Sequence, residues 1–266
     1  MNRPIRILLP ARRLALGVAT LMLAALATHA PPAAAQGTME KIRASKVMVA
    51  GNSGSYPPFE MMQGNKLVGF DADMAEELGR RMGVTIKFEI IDFKGIIAAL
   101  TSKRVDVLIS AVTWTPERAE RMAFSVPYYN AGIGALYRER TPIAKPEDLA
   151  GKVVGVQLGS SGELFVRQKL GSVVKEIKTY DDIILAVKDL EAGRVEAVVN
   201  PIPVLRHNAR ASAGVRFTEV WDNRVVGINT RKEDTDLMAE INRHLEAMKK
   251  DGVLDRLDRK WFGTRN

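Results

Sequence analysis

The sequence predicts an α/β protein with two similar lobes, each a mostly parallel sheet flanked by helices. Short runs rich in β-branched residues alternate with amphipathic stretches, a pattern typical of βαβ units. The segment 100–110 has a counterpart at 190–200, where an apolar helix end, a turn and a strand follow in the same order. A chain of 266 residues suits one large domain or two of ordinary size, and this internal similarity favours two.

The first lobe is predicted to begin with a strand, 47–50. Asp71 then opens a helix with apolar residues at helical spacing on one face, and Gly83 lies just beyond its end. The apolar residues are Met74, Ala75 and Leu78. A strand 84–90, a helix 94–100 and a strand 105–109 complete the unit.

A second series of the same kind follows from Pro146. It consists of strand 153–156, helix 163–169, strand 174–177, helix 182–191 and strand 197–199. After it come a strand 225–229 and two helices, 234–250 and 254–261.

We expect the chain to cross back after the second lobe. Residues 36–131 and 225–266 would then form the first lobe, and residues 132–224 the second. Glycines near 131–134 and 224–227 suit these crossings to act as hinges.

Residues 1–35 are predicted to be a signal peptide outside this fold. Four arginines precede the apolar run 14–27, which is shorter than the about 20 residues of a membrane span. The arginines are Arg3, Arg6, Arg12 and Arg13. Small residues before Gln36 offer an A-x-A cleavage site, so we expect export to the periplasm. The arginine pair leaves the twin-arginine route as an alternative to ordinary secretion.

Charge and composition exclude several classes of function. Without the four signal arginines the formal net charge falls from +8 to +4, and no basic stretch is interleaved with aromatics, so we expect no nucleic acid partner. The absence of cysteine excludes disulfides and lipidation on an N-terminal cysteine. The three histidines, His29, His207 and His244, give neither a Cys/His metal site nor a serine–histidine triad, so no metal or cofactor is expected.

Several motifs carry a resemblance to a known family. They are Gly69-Phe70-Asp71-Ala72-Asp73-Met74, 105–110, 115–118, 124–129, 148–156, 159–161, 193–198 and Lys260-Trp261-Phe262-Gly263. In these segments the chain closely resembles the polar amino acid type of bacterial extracellular solute-binding proteins. The resemblance covers essentially the whole chain after the signal peptide.

The resemblance implies a two-lobed periplasmic-binding-protein fold with a hinge of two crossing segments. It also implies a receptor that closes over a small amino acid or related carboxylate and delivers it to the permease of an ABC importer. We expect such a receptor to be a monomer and not an enzyme.

The same resemblance assigns the carboxylate clamp of the ligand site. Arg118, in the Thr-Pro-Glu-Arg segment, is expected to grip the ligand carboxylate, since a guanidinium matches a carboxylate bidentately and stays charged. Ser110 and Thr113 would assist it. Ser161, in a glycine turn before a helix, is expected to contact the carboxylate from the second lobe.

Aromatic residues are expected to wall the site. Tyr56 and Phe93 resemble the family's wall against the carbon skeleton of the ligand, with core packing as the alternative. Trp114 either lines the pocket or packs beneath it, and the sequence favours neither alternative. Because ligands bind beyond the carboxyl ends of parallel strands, Ser110 and Asn200 are expected to face a shared cleft.

Two departures from the family pattern concern the ligand's ammonium group. Asn200 stands where the family usually has an aspartate, and Ser53 where binders of basic amino acids have an acid. The ligand is therefore either an amino acid held partly by Ser53 or a nearby acid, or an organic acid without an ammonium. A lysine- or arginine-like ligand is disfavoured.

Cyclohexadienyl dehydratases resemble these binding proteins and provide the enzymatic alternative. Glu163 would be the general acid of such an enzyme, although a glutamate at a helix start is the simpler interpretation. The sensor lobe of a membrane receptor is a third, less favoured hypothesis.

Overall fold

The computed structural model describes residues 37–263. The predicted signal peptide and its cleavage site before Gln36 lie outside this range. The helices are α1 (Thr38–Ser45), α2 (Phe70–Met82), α3 (Ile96–Thr101), α4 (Pro116–Ala119), α5 (Ser161–Leu170), α6 (Ile183–Glu191), α7 (Ile202–Asn208), α8 (Thr235–Lys250) and α9 (Val253–Phe262). Short 3-10 helices at Phe93–Gly95 and Pro146–Leu149 precede α3 and β10.

The strands alternate with these helices through most of the chain. They are β1 (Val47–Asn52), β2 (Ser55–Tyr56), β3 (Glu60–Gln63), β4 (Lys66–Val68), β5 (Thr85–Ile90), β6 (Val107–Leu108), β7 (Ala123–Phe124), β8 (Tyr129–Asn130), β9 (Ile133–Arg138), β10 (Val153–Gln157), β11 (Glu176–Tyr180), β12 (Ala197–Pro201), β13 (Val215–Phe217), β14 (Val225–Val226) and β15 (Asn229–Thr230).

Two five-stranded sheets form the centres of two lobes. The first has the order β5-β1-β6-β15-β7 and the second the order β11-β10-β12-β9-β13. In each, the first three strands are parallel, and the fourth runs antiparallel to both of its neighbours. The prediction of a two-lobed α/β fold is confirmed. The predicted strands supply the parallel half of each sheet, and strands next to the crossings add the antiparallel half.

The internal similarity in the sequence corresponds to a structural equivalence. Strand β6 pairs in parallel with β1, and β12 pairs in parallel with β10. The carboxylate of Asp106 accepts a hydrogen bond from the backbone of Val49 at 2.9 Å, and that of Glu196 accepts one from Val153 at 2.7 Å. An acid at the equivalent position thus holds the equivalent strand pair in both lobes.

The structure corrects two of the predicted strands. The predicted strand 105–109 is reduced to Val107–Leu108, although the backbone amides of Asp106 and Ile109 on either side still donate to β1. The predicted strand 225–229 is two short strands with different partners: β14 pairs with β8, and β15 enters the first sheet. The β2–β3–β4 meander was not predicted.

The chain passes between the lobes at two adjacent antiparallel segments. Beyond the β8–β14 pair, the backbone of Ala131 donates to Arg224 at 2.7 Å, and that of Ile133 donates to Asp222 at 2.8 Å. Each crossing is therefore supported by the other.

Packed aromatic rings attach the last helix to the β2–β3 turn. Phe262, at the end of α9, lies 4.9 Å from Phe59 and 4.5 Å from Tyr129 between ring centroids, and Phe59 is fully buried. This cluster places Glu60, the residue after Phe59, in the interior of the first lobe.

Within residues 37–263, no helix has both the length and the apolar character needed to cross a membrane.

Candidate functional site

The facing edges of the two lobes meet at Tyr56 and Asn200. The Tyr56 hydroxyl donates a hydrogen bond of 2.9 Å to Oδ1 of Asn200, which lies in β12 of the second lobe. Both side chains are buried, and Nδ2 of Asn200 has no partner within residues 37–263. The Asn200 amide therefore has its Nδ2 donor available where the two lobes meet.

Arg118 is a buried cation at the same interface. Its Nη1 donates to the carbonyl and hydroxyl oxygens of Thr113 at 2.8 and 2.7 Å, and its Nη2 donates to the carbonyl of Gly159 at 2.9 Å. Burial lowers the pKa of Arg118 to about 10, so the guanidinium stays charged at neutral pH. All three acceptors are neutral, and the guanidinium forms no ion pair within the described part of the chain.

The local sequence explains why Arg118 points into the protein. Thr115 caps the short helix α4 by accepting from the backbone of Arg118 at 3.2 Å, and Pro116 occupies the first turn. This cap turns the chain tightly, so that Arg118 reaches back to Thr113. The guanidinium also lies over the Phe93 ring at 5.6 Å.

Tyr56 and Phe93 form an aromatic face beside Arg118. Their rings are stacked with centroids 6.4 Å apart and planes at 17°. Burial and the nearby Glu60 carboxyl raise the pKa of Tyr56, whereas Arg118 lowers it, and Tyr56 is neutral at physiological pH.

The second lobe contributes the turn before α5. Gly159 has a φ of +77°, which favours glycine, and Ser160 caps the helix by accepting from the backbone of Glu163 at 3.1 Å. The Glu163 carboxylate accepts from the backbone of Gly159 at 2.6 Å and from Nε of Arg167 at 2.8 Å. Ser161 is buried as the first residue of α5. This turn therefore presents the Gly159 carbonyl to Arg118.

The structure thus brings most of the expected site residues together. Arg118, Thr113, Phe93, Tyr56 and Asn200 form one group linked by the contacts above. Trp114 instead is 42% exposed and lies on an outer cavity that Trp221 also lines.

The sequence reasoning assigned no place in the site to two buried acids behind Ser53 and Ser110. Oε1 of Glu60 accepts from the Ser53 hydroxyl at 3.0 Å and from the Ser110 hydroxyl at 2.5 Å. Asp71, predicted only as the start of a helix, accepts through Oδ2 from the backbone of Ala111 at 2.7 Å. Burial raises the pKa of Glu60 and raises that of Asp71 to about 7. For Glu60 the sequence signal was an acid after an apolar turn, which is common on surfaces, and for Asp71 it was the place in the motif 69–74.

Within the described range, no cluster of three or more histidine or acidic side chains could hold a metal ion.

The protein has two α/β lobes joined by paired crossings, with a buried cation where the lobes meet. This arrangement defines a class of two-lobed ligand-binding proteins. The sequence model of Bacterial extracellular solute-binding proteins, family 3, matches residues 48–264, and the chain belongs to this family.

Individual relatives agree with this assignment. The L-cystine-binding protein TcyJ of Escherichia coli (strain K12) is 35% identical over 235 residues, covering 86% of this chain and 87% of TcyJ. The solved structure of an ancestral arginine-binding protein bound to arginine is 38% identical, with a TM-score of 0.78 over 82% of this chain and 99% of that one. The ancestral amino acid-binding protein AncCDT-1, a precursor of cyclohexadienyl dehydratase, is 32% identical, with a TM-score of 0.79 over 85% and 100%.

Proposed function

We propose that this protein is a periplasmic receptor that captures a small amino acid or related carboxylate between its lobes and delivers it to an ABC importer. Of the described residues, 37–131 and 225–263 form one lobe of this receptor, 132–224 form the other, and the paired crossings are its hinge. The receptor acts as a monomer that docks on a permease in the inner membrane.

The observation that carries this proposal is the buried Arg118. A buried charge is costly unless it is paired, and neutral oxygens compensate it only in part. A ligand carboxylate supplies the missing opposite charge. Contacts from Thr113 in one lobe and Gly159 in the other link this clamp to the relative position of the lobes.

The remaining groups fit the rest of such a ligand. The Tyr56–Phe93 face offers apolar surface to a carbon skeleton, and Nδ2 of Asn200 offers a donor to a ligand oxygen. Ser110, Ser161 and Ser53, all of them buried, are the further ligand contacts of this proposal. The relatives named above are binding proteins for amino acids, which supports the same class of ligand here.

Calorimetric titration of ligand-stripped, refolded protein with amino acids and small organic acids tests this proposal. At about 100 times its dissociation constant a true ligand stabilises the fold by about 2.7 kcal/mol. For a chain of this size that corresponds to a rise of about 5–10 °C in the melting temperature. If no small carboxylate binds or raises the melting temperature, the receptor proposal is wrong.

AncCDT-1 is the reason to test an enzymatic function as well. The carboxylate of Glu163 already accepts from the backbone of Gly159 and from Arg167, which ties it to the turn and leaves it poorly suited to donate a proton. We expect no phenylpyruvate from prephenate. Formation of phenylpyruvate that is lost in Glu163→Gln would favour the enzyme instead.

A further inference from the structure

A cavity of about 700 Å³ lies between the two lobes and next to the crossings. Pro58, Trp261 and Phe262 of the first lobe form one wall, and helix α7 of the second lobe forms another. Val220, close to the second crossing, also lines it. Arg118 does not line this cavity, which is therefore separate from the carboxylate clamp. Its volume is in the range of sites for small molecules.

The walls of the cavity are connected to the hydrogen bond that joins the lobes. Pro58 lies two residues after Tyr56 in the first lobe. Ile202, which also lines the cavity, lies two residues after Asn200 in the second lobe. The backbone of Ile202 donates to the carbonyl of Gly132, in the first crossing, at 2.8 Å. The shape of the cavity therefore depends on how the lobes are arranged about the crossings.

Two arginines that line this cavity have no acidic partner. Arg206, in α7, and Arg210, just after it, are both exposed. The Arg206 guanidinium lies 5.0 Å from the centroid of the Phe217 ring. Nη1 of Arg210 donates to Nε2 of His207 at 2.6 Å and to the carbonyl of His207 at 3.0 Å. Neither arginine forms an ion pair within residues 37–263, and no acidic residue of this range lines the cavity.

His207 helps to orient Arg210 and adds no charge of its own. Burial and the nearby Arg210 guanidinium lower the pKa of His207, so its ring is neutral at neutral pH. The neutral ring accepts from Arg210 through Nε2. The cavity therefore has two positive charges on its lining and no negative charge among the described residues.

Much of the remaining lining is apolar and accessible. Val220 is 45% exposed, and Trp261 and Phe262 are partly exposed. An added Cβ on Gly132 would overlap the Val220 side chain, so the glycine allows Val220 to lie against the first crossing. Accessible apolar side chains and two unpaired guanidinium groups in one cavity match a molecule that has an anionic group and a hydrocarbon body.

We propose that this cavity is an accessory site for a small organic anion with a hydrocarbon body, and that its occupancy is coupled to the arrangement of the lobes. The anionic group binds Arg206 and Arg210, and the body packs on the apolar wall. Because both lobes supply the walls, an occupant stabilises the arrangement in which Tyr56 contacts Asn200. The inference goes beyond the proposed receptor function and requires no ligand in the candidate site.

Calorimetric titration with sodium octanesulfonate, octan-1-ol and sodium methanesulfonate tests the chemistry of the site. Octan-1-ol lacks the charge and methanesulfonate lacks the body, so octanesulfonate should bind about tenfold or more tightly than either. A sulfonate keeps carboxylate recognition out of the measurement, and octanesulfonate should bind Arg118→Ala like wild type. No binding of octanesulfonate to wild type, equal binding of octan-1-ol, or loss of binding in Arg118→Ala would each overturn the inference.

Variants of exposed residues locate the site. R206Q/R210Q removes both charges and should lower octanesulfonate affinity about tenfold or more. Arg140→Gln is the matched control, because Arg140 is an exposed arginine of the same lobe outside the cavity, and its affinity should be that of wild type. Val220→Glu places an acid in the cavity and should weaken octanesulfonate but not octan-1-ol. Circular dichroism verifies folding. Wild-type affinity in folded R206Q/R210Q, or an equal loss in Arg140→Gln, would contradict the assignment.

Tyr56→Phe tests the coupling. It removes the hydroxyl that bonds Asn200 and leaves the lining of the cavity unchanged. Octanesulfonate affinity should fall by about threefold or more, because the arrangement of the lobes loses a hydrogen bond. An unchanged affinity would show that the cavity does not depend on the lobes and would overturn the coupling. Failure of these measurements leaves the receptor function intact, since that function is tested with amino acids and small organic acids at the candidate site.

Discussion

The hydroxyl of Tyr56 and the amide of Asn200 form a direct 2.9 Å hydrogen bond from one lobe to the other. Tyr56 lies in a short meander of the first lobe, and Asn200 lies near the end of a central strand of the second. Opening the lobes must break this bond and the contact of Arg118 with Gly159. The same residues that contact a ligand would then also sense the position of the lobes.

Arg118→Ala should abolish tight binding of every carboxylate ligand. Removing one partner of a buried charge pair costs about 3–5 kcal/mol. This corresponds to a loss of about two to three and a half orders of magnitude in affinity, measurable by calorimetry. Arg104→Ala, at an exposed arginine of the same lobe, serves as the control and should bind like wild type. Wild-type affinity in Arg118→Ala would remove the carboxylate clamp.

Asn200→Asp should separate ligands by charge class. The aspartate can still accept from the Tyr56 hydroxyl, but it replaces the Asn200 donor with an anion. Amino acids should bind more tightly because their ammonium gains an opposite charge, and acids without an ammonium should bind more weakly. Titration of one amino acid and its hydroxy acid measures both effects. Equal affinities before and after the change would place residue 200 outside the site.

Asp71 should make the free energy of unfolding depend on pH. Burial raises its pKa from 3.8 to about 7, so the folded state holds a proton that the unfolded state releases between these values. The folded state binds more protons in that window, and the stability contributed by this group therefore falls as pH rises from about 4 to about 7. Above pH 7 the loss is complete.

Asp71→Asn provides the comparison for this pH effect. Its side chain does not titrate, while its amide oxygen can still accept from the Ala111 amide and the Tyr128 hydroxyl. Urea denaturation of both proteins from pH 4 to pH 8 should show wild type losing stability relative to the variant as pH rises. A parallel pH dependence in the two proteins would contradict the raised pKa of Asp71.

The exported form of the protein should begin near Gln36. The basic, apolar and small-residue order of residues 1–35 is the basis of this prediction. Mass spectrometry of protein recovered from periplasm measures the N-terminus directly. A mature form that retains Met1 would contradict cleavage.

The α/β class and its two lobes could be predicted because local patterns encode them. Alternating strand and helix periodicity marks each βαβ unit, and the repeated Arg-Val-acid segment marks equivalent positions. Asp106 and Glu196 play the same structural role in the two lobes, so the internal similarity correctly indicated that β6 and β12 are equivalent strands. Arg118, Tyr56 and Phe93 were assigned to the candidate site from the resemblance to the family, and the structure brings them together. The strand 225–229 was mispredicted because its halves pair with different sheets, which local propensity does not encode.

The burial of Glu60 and Asp71 was decided by the tertiary structure. In sequence, Asp71 stands in the family motif 69–74 at the start of a helix, and Glu60 follows an apolar turn. Both carboxyl groups are withdrawn from water because β3 and α2 meet in the interior, with Ser53, Ser110 and Tyr128 as donors. The contact of Arg118 with Gly159 likewise depends on how the lobes meet. Burial and long-range contacts set the charge of these groups, and neither is a property of a residue and its neighbours along the chain.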